Sequence, residues 1–243
     1  TLVHYFHNRK AFRCFNGVCL TSRSWDILIN NEHGQLTMKL ILVRHAETEW
    51  NWEGIIQGHS DSSLTCRGLR ETSALLAAFS ASEYQIERVY ASPLGRAWQM
   101  GQSLAEHFHC SLTTEPALKE QAFGQFEGMP LELLRQKHPN YANALFRLDA
   151  EYCPPGGESL AHASQRVMRF LQNLEDTSTH QQTICIVSHG HVSQGTLAIL
   201  KEGTVDSFPR YAHPNASYSV IDLINGKCIG LKWGIATHLR HLN

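Results

Sequence analysis

Arg44 and His45 stand together at the end of a short apolar run, Leu40 to Val43. A strand that stops on such a pair puts both side chains on a rigid end that a ligand can reach. A guanidinium beside an imidazole is a poor core element and a good anion site. Arginine offers a planar fork of donors that matches phosphate oxygens, and a neutral histidine nitrogen can attack phosphorus. A lone strand-end histidine is more often an ordinary hydrogen-bonded residue, so the pair needs company before it carries an argument.

Two distant segments supply that company. Val89-Tyr90-Ala91-Ser92 is strand-like and is followed by Pro93 and Arg96. Ser92 suits a helix cap and Pro93 the first helical position, which puts Arg96 in the first turn of a helix. Thr183 to Ser188 is an apolar strand ending in Ser188-His189-Gly190-His191, with a helix expected from Val192 to Leu200. In open α/β sheets ligands bind beyond the carboxyl ends of the strands, so three such ends are expected to converge on one anion.

These segments resemble a known family. Arg44-His45-Ala46-Glu47-Thr48-Glu49-Trp50-Asn51 with Gln57-Gly58 is similar to the opening motif of the histidine phosphatase (phosphoglycerate mutase-like) superfamily. Ser92-Pro93-Leu94-Gly95-Arg96-Ala97, the stretch from Leu118-Lys119-Glu120 to Gly124-Gln125-Phe126-Glu127-Gly128, and Ser188-His189-Gly190 resemble its later motifs, in family order from residue 38 to about 233. Departures lie beside the pocket: Ala46 for a frequent glycine, Ile55 for a basic residue, Ser63 for proline, and Met100-Gly101 for a small pair.

The resemblance implies a role for each matching position. His45 is expected to be the nucleophile, forming a phosphohistidine that water hydrolyses. Arg44, Arg96 and His189 are expected to clamp the phosphoryl oxygens as a ring of fixed cations, since phosphoryl transfer asks mainly for positioning and charge stabilisation. Glu120 is expected to be the general acid and then the base, in preference to nearby Glu127, on its position after Leu118; either acid alone could be a solvated surface group. Asn51 and Gln57 resemble neutral amide donors of the same pocket, with Gly58 and Gly190 completing the substrate-binding set. No cofactor and no metal is implied. His191 and the His107/His109 pair have an i, i+2 spacing but no matching partner set, and read as surface or supporting histidines.

The remaining chain must hold these groups. Thr65 caps an expected helix to about Phe79, with Leu69, Leu75, Leu76 and Phe79 as its apolar face. Ala97 to Phe108 reads as a helix, Ser111 to Thr114 as a strand, and Leu131 to His138 as a helix that Pro139 stops. Pro154 to Ser159 is turn chemistry leading into a helix to Leu174. Tyr218 to Leu223, Asn225-Gly226 and Cys228 to Trp233 form a hairpin. Alternating strands and helices give an α/β fold: a three-layer α/β/α sandwich, mostly parallel, with an antiparallel addition near the C-terminus.

Composition agrees with one enzyme domain. The chain has 243 residues and a net charge of -1, without the charge runs that would indicate nucleic acid or acidic membrane partners. No apolar stretch approaches the ~20 residues that span a bilayer. Seven cysteines at irregular spacing read as reduced thiols, and so as cytoplasmic. Residues 1–37 lie outside the resemblance. Their basic, acid-poor composition would suit a transit peptide, but the preferred reading is an upstream extension, because Met38-Lys39-Leu40 makes a natural start for the motif strand.

Within the superfamily, the interval from Glu120 to His189 lacks the long insertion of the glycolytic mutases, and Pro155-Gly156-Gly157-Glu158-Ser159 is similar to the phosphatase branch. The expectation is a metal-independent phosphomonoesterase acting on a small phosphorylated metabolite. A phosphoglycerate mutase primed by 2,3-bisphosphoglycerate and an inactive phospholigand binder are the alternatives. Dimerisation is compatible with the sequence, and no feature specifies it.

Overall fold

The computed structural model describes residues 14–15, 18–19, 37–177 and 182–242. The chain falls into two units, Thr1–Gln35 and Leu36–Asn243. In the first, Cys14–Phe15 pairs antiparallel with Val18–Cys19.

The second unit is built on a six-stranded sheet. Its strands are β1 (Thr37–Arg44), β2 (Arg88–Ala91), β3 (Ser111–Thr114), β4 (Gln182–Ser188), β5 (Tyr218–Ile224) and β6 (Lys227–Ile235). Their spatial order is β3-β2-β4-β1-β5-β6. The four strands from β3 to β1 are parallel, and β5 and β6 add antiparallel at the edge. This is the expected sandwich with its C-terminal hairpin. At the hairpin tip, Asn225 and Gly226 both take positive φ (48° and 73°), as a two-residue turn matching strand twist requires.

Strand alternation divides the core. Leu40, Leu42, Ile184 and Ile186 pack on one face against α6 (Leu160–Thr177) and α7 (Gly190–Glu202). Ile41, Val43, Cys185 and Val187 pack on the other against α2 (Cys66–Ser80) and α3 (Gly95–Phe108). With both faces covered, β1 and β4 read as continuous apolar runs. A third cluster, Ile56, Phe123, Phe126, Leu134, Ala142 and Leu145, involves the short helices α4 (Leu131–Lys137) and α5 (Pro139–Asn143).

Local signals explain most boundaries. Thr65 caps α2 by accepting from the Gly68 N–H at 2.9 Å. Thr48 caps α1 (Glu49–Glu53) in a capping box with Asn51. Three expectations need correction. Leu69 does not face the core: it is half exposed, while Leu75 and Phe79 are buried. Ser92 does not cap α3, which begins at Gly95 with Leu94 as its cap; the Ser92 hydroxyl instead turns inward to His189 at 2.8 Å. Pro139 ends α4 but also opens α5 from its first position, where its missing N–H costs nothing.

Candidate active site

The sheet order brings the three expected strand ends side by side. Arg44 at the end of β1 pairs in register with Ser188 at the end of β4, and Val187 pairs with Ala91 at the end of β2. The chain continues the ladder beyond each end: the His45 N–H donates to the Ser188 carbonyl and the Ser92 N–H to the Val187 carbonyl, both at 3.0 Å. A cavity of about 260 Å³ opens over this edge. Its lining includes Arg44, His45, Asn51, Gln57, Gly58, Arg96, Glu120 and Gly190. His189 stands just behind, with its ring 5.2 Å from the His45 ring.

The His45 ring is held in one tautomer. Its Nδ1 lies 2.8 Å from the Ala46 carbonyl, which can only accept, so Nδ1 carries the proton and Nε2 keeps its lone pair. Burial, then the Arg96 and Arg44 charges, push its pKa well below the usual 6.5. His45 is therefore neutral at pH 7 without a separate base. His189 is depressed in the same way by burial, Arg96 and His45. The expected ring of cations is thus two guanidiniums and a neutral imidazole.

The guanidiniums are anchored by backbone. Arg44 Nη1 donates to the His213 carbonyl at 2.6 Å. Arg96 Nη2 donates to the Gly58 carbonyl, and its Nη1 to the Ser60 carbonyl and the Asp61 carboxylate, all at 2.8–2.9 Å. Yet Arg44 Nε, Arg96 Nε and His189 Nδ1 are buried without a partner. Each such group costs about 1–3 kcal/mol of desolvation. Three together at one strand edge are an exception that calls for an explanation.

Glu120 sits against the first turn of α7. It accepts from the N–H groups of Val192 (2.8 Å), His191 and Gln121 (both 3.0 Å), and Arg166 holds its backbone carbonyl at 2.8 Å. Glu127 is not simply solvated: it accepts from the backbone of His59, Ser60 and Phe123 and from the Ser60 hydroxyl. Burial opposes its charge, but those hydrogen bonds win and lower its pKa. Glu127 therefore shapes the loop whose carbonyls grip Arg96. Gly58, at φ +58°, leaves room for it: a Cβ there would come within 2.3 Å of Glu127 Oε1.

Asn51 turns its Oδ1 to Thr48 and to Asn215 Nδ2, which leaves its own Nδ2 for the cavity. Gln57 lines the same wall, with Oε1 receiving a long bond from Ser62. His191 is not the surface histidine that was one of the two expectations: it is 7 % exposed, lines the cavity and bonds Gln121 through its ring. His107 lies away from the cavity, on α3 against Ser80. Asn215, the His213 carbonyl and Asp61 escaped the sequence reading. Asn215 braces both the His45 carbonyl (3.1 Å) and Asn51 (3.0 Å), and only its turn-like Pro214-Asn215 context marks it in sequence. Among the described residues no group of three His, Cys, Asp or Glu is placed to hold a metal ion.

A buried and a half-buried arginine, neutral imidazoles and side-chain amides round one hollow, at the carboxyl edge of a doubly covered sheet, define a protein that handles phosphoryl groups. The chain belongs to the histidine phosphatase superfamily (branch 1), which its residues 40–236 match, and in which a phosphohistidine mechanism is general. Among its relatives, phosphoserine phosphatase 1 of Hydrogenobacter thermophilus is 33% identical over 202 residues, covering 83% of this chain and 94% of the relative. The probable phosphoglycerate mutase GpmB of Escherichia coli is 30% identical over 205 residues, covering 82% and 92%. Among solved structures, Bacillus stearothermophilus YhfR superposes with a TM-score of 0.76 at 26% identity, covering 84% of this chain and all of that one. The alpha-ribazole phosphatase from Shigella flexneri gives 0.70 at 28%, covering 82% and 96%. These relatives support general phosphatase activity.

Proposed function

We propose that this chain hydrolyses phosphomonoesters of small metabolites through a phosphohistidine on His45. The observation that carries the reading is the set of unpartnered buried nitrogens on Arg44, Arg96 and His189, beside a His45 that keeps its Nε2 lone pair. In the first half-reaction Nε2 attacks phosphorus, the bond to the leaving alcohol breaks, and Glu120 delivers a proton to that oxygen. In the second, Glu120 takes a proton from water, the hydroxide attacks phosphorus, and His45 is released with inorganic phosphate. Arg44, Arg96 and His189, with Asn51, Gln57, Gly58 and Gly190 around them, hold the phosphoryl oxygens throughout. Each step uses only groups of the chain and calls for no metal.

Hydrolysis is favoured over mutase chemistry by the charges in the cavity wall. Arg44 and Arg96 are the only guanidinium or ammonium groups among its lining residues, and both belong to the phosphoryl site. A bisphosphorylated or carboxylate-bearing ligand would bring a second anion to a wall with no cation to meet it, and burying an unpaired charge is costly. The thiols of Cys66, Cys110, Cys153, Cys185 and Cys228 fit a cytoplasmic setting. No helix among the described residues is long and apolar enough to cross a membrane.

The test is rapid alkaline quenching with a radiolabelled phosphate ester. Wild-type protein is expected to carry acid-labile phosphate and to release inorganic phosphate, and His45→Ala to do neither. Substantial hydrolysis by His45→Ala removes the nucleophile assignment, and transfer to 3-phosphoglycerate in place of water favours the mutase.

A further inference from the structure

The cavity wall carries a polar side chain that the hydrolytic steps leave unused. His191, on the first turn of α7, lines the cavity and is more than nine-tenths buried. Its tautomer follows from a chain of bonds. Gln121 Nε2 donates to the Glu158 carbonyl at 2.8 Å, so the amide must turn its Oε1 the other way. That oxygen meets His191 Nδ1 at 2.6 Å. An amide oxygen only accepts, so Nδ1 carries the proton and Nε2 is a bare lone pair. Nε2 has no partner in the structure.

Packing alone does not account for a histidine here. Its ring lies among Phe123, Phe146 and Phe208, at centroid separations of 5.2–5.8 Å, where another phenylalanine would fill the space without a buried acceptor. Burial pushes its pKa down to about 4, so near neutrality the ring cannot become a second cation for the phosphate. Gln194, one turn along the same helix face, also lines the cavity. The remaining wall is apolar, with Ile55, Ile56 and Leu131 beside the two phenylalanines.

We propose that His191 selects the leaving group: its bare Nε2 accepts a hydrogen bond from a hydroxyl or ammonium on the alcohol, so the preferred substrates are phosphomonoesters of amino- or polyhydroxy-alcohols. This rests on the hydrolase reading above and narrows it. The leaving alcohol carries its carbon skeleton against Ile55, Leu131 and Phe146 and its donor toward α7. A plain alkyl ester leaves the acceptor buried and unpaired, which a site built for a donor penalises.

The experiment compares n-alkyl phosphates of two to five carbons with their ω-hydroxy and ω-amino counterparts of equal length. Wild-type kcat/KM is expected to favour the donor-bearing ester by about ten- to hundredfold at the length that spans the cavity. His191→Phe, which keeps an aromatic ring, is expected to bring that ratio close to one. His191→Gln, whose amide oxygen can accept, is expected to restore part of it. A wild-type ratio near one at every length overturns the inference while leaving the hydrolase reading intact, and needs no variant to fold. A ratio unchanged in His191→Phe also overturns it. Absence of turnover on every ester removes the hydrolase reading and this inference together.

Discussion

Gly190→Ala separates the geometry of the phosphoryl clamp from the stability of the fold. Gly190 opens α7 directly behind the Arg44 guanidinium. A Cβ there would lie 2.9 Å from Arg44 Cζ, 3.0 Å from Nε and 3.3 Å from Nη1. Ordinary contact begins near 3.4 Å, so the rigid fork must retreat by about 0.5 Å. It cannot simply slide away, because Nη1 is tied to the His213 carbonyl at 2.6 Å. A misplacement of about 1 Å costs roughly a hundredfold in rate, so half that displacement predicts a loss of about tenfold in kcat/KM. That equals about 1.4 kcal/mol of transition-state stabilisation. Stability should change little, since alanine is a better helix former than glycine by up to about 1 kcal/mol and the crowding falls on a side chain. The assay is kcat/KM on an aryl phosphate, with inorganic phosphate as competitive inhibitor and a thermal melt alongside. Gly195→Ala is the internal control: its Cβ would lie 2.0 Å from Ser164 Oγ and 3.2 Å from Leu160 Cγ, where α6 meets α7, so it should lower Tm. If Gly190→Ala retains kcat/KM within twofold of wild type at unchanged Tm, the placement of Arg44 against phosphate is wrong.

Glu120→Gln should slow alkyl ester hydrolysis by about 10²–10⁴-fold and p-nitrophenyl phosphate less, because nitrophenolate leaves without a proton; equal losses on both would contradict the acid role. Glu127→Ala should weaken inhibition by inorganic phosphate severalfold with a modest fall in Tm, since it frees the His59–Ser60 backbone whose neighbouring carbonyls hold Arg96; unaltered inhibition would show that the loop stays in place without it. Acid should destabilise the fold: His191 and His213 are pushed down to about 4 but titrate near 6.5 when unfolded. The unfolded chain therefore takes protons first as pH falls below about 7, and stability drops until about pH 4, by about 2 kcal/mol at pH 5 for His191 alone. Urea midpoints at pH 7.5 and pH 5 measure this, and coincident midpoints would refute it.

The parts of the site that sequence could reveal are those whose signal is local. Arg44 and His45 are announced by the apolar run before them, Arg96 by its distance from a strand end, and His189 by the strand that Ser188 closes. Thr65 and Asn225-Gly226 were equally readable, because a cap and a two-residue turn are decided within a few residues. Longer-range choices were not. Ser92 has a cap's chemistry, but His189 arriving on the neighbouring strand takes its hydroxyl. Asn215 and His213 come from the loop before β5 and brace His45 and Arg44 across about 170 positions of sequence. Glu127 is one acid among many until the loop from Gly58 to Ser60 folds over it.

The unpartnered donors explain why that bracing exists. Left alone, Arg44, Arg96 and His189 would each relax toward a nearby carbonyl and close the hollow, since a buried donor without a partner is the state folding avoids. Every guanidinium nitrogen on the anchoring side is already matched to the backbone of Gly58, Ser60 or His213. Ser92 occupies the one His189 nitrogen that could have turned elsewhere. On the proposed reading, what remains unsatisfied is left for the oxygens of a bound phosphoryl group. On that reading the fold holds these groups in place before a substrate arrives, so little reorganisation is left for the reaction itself.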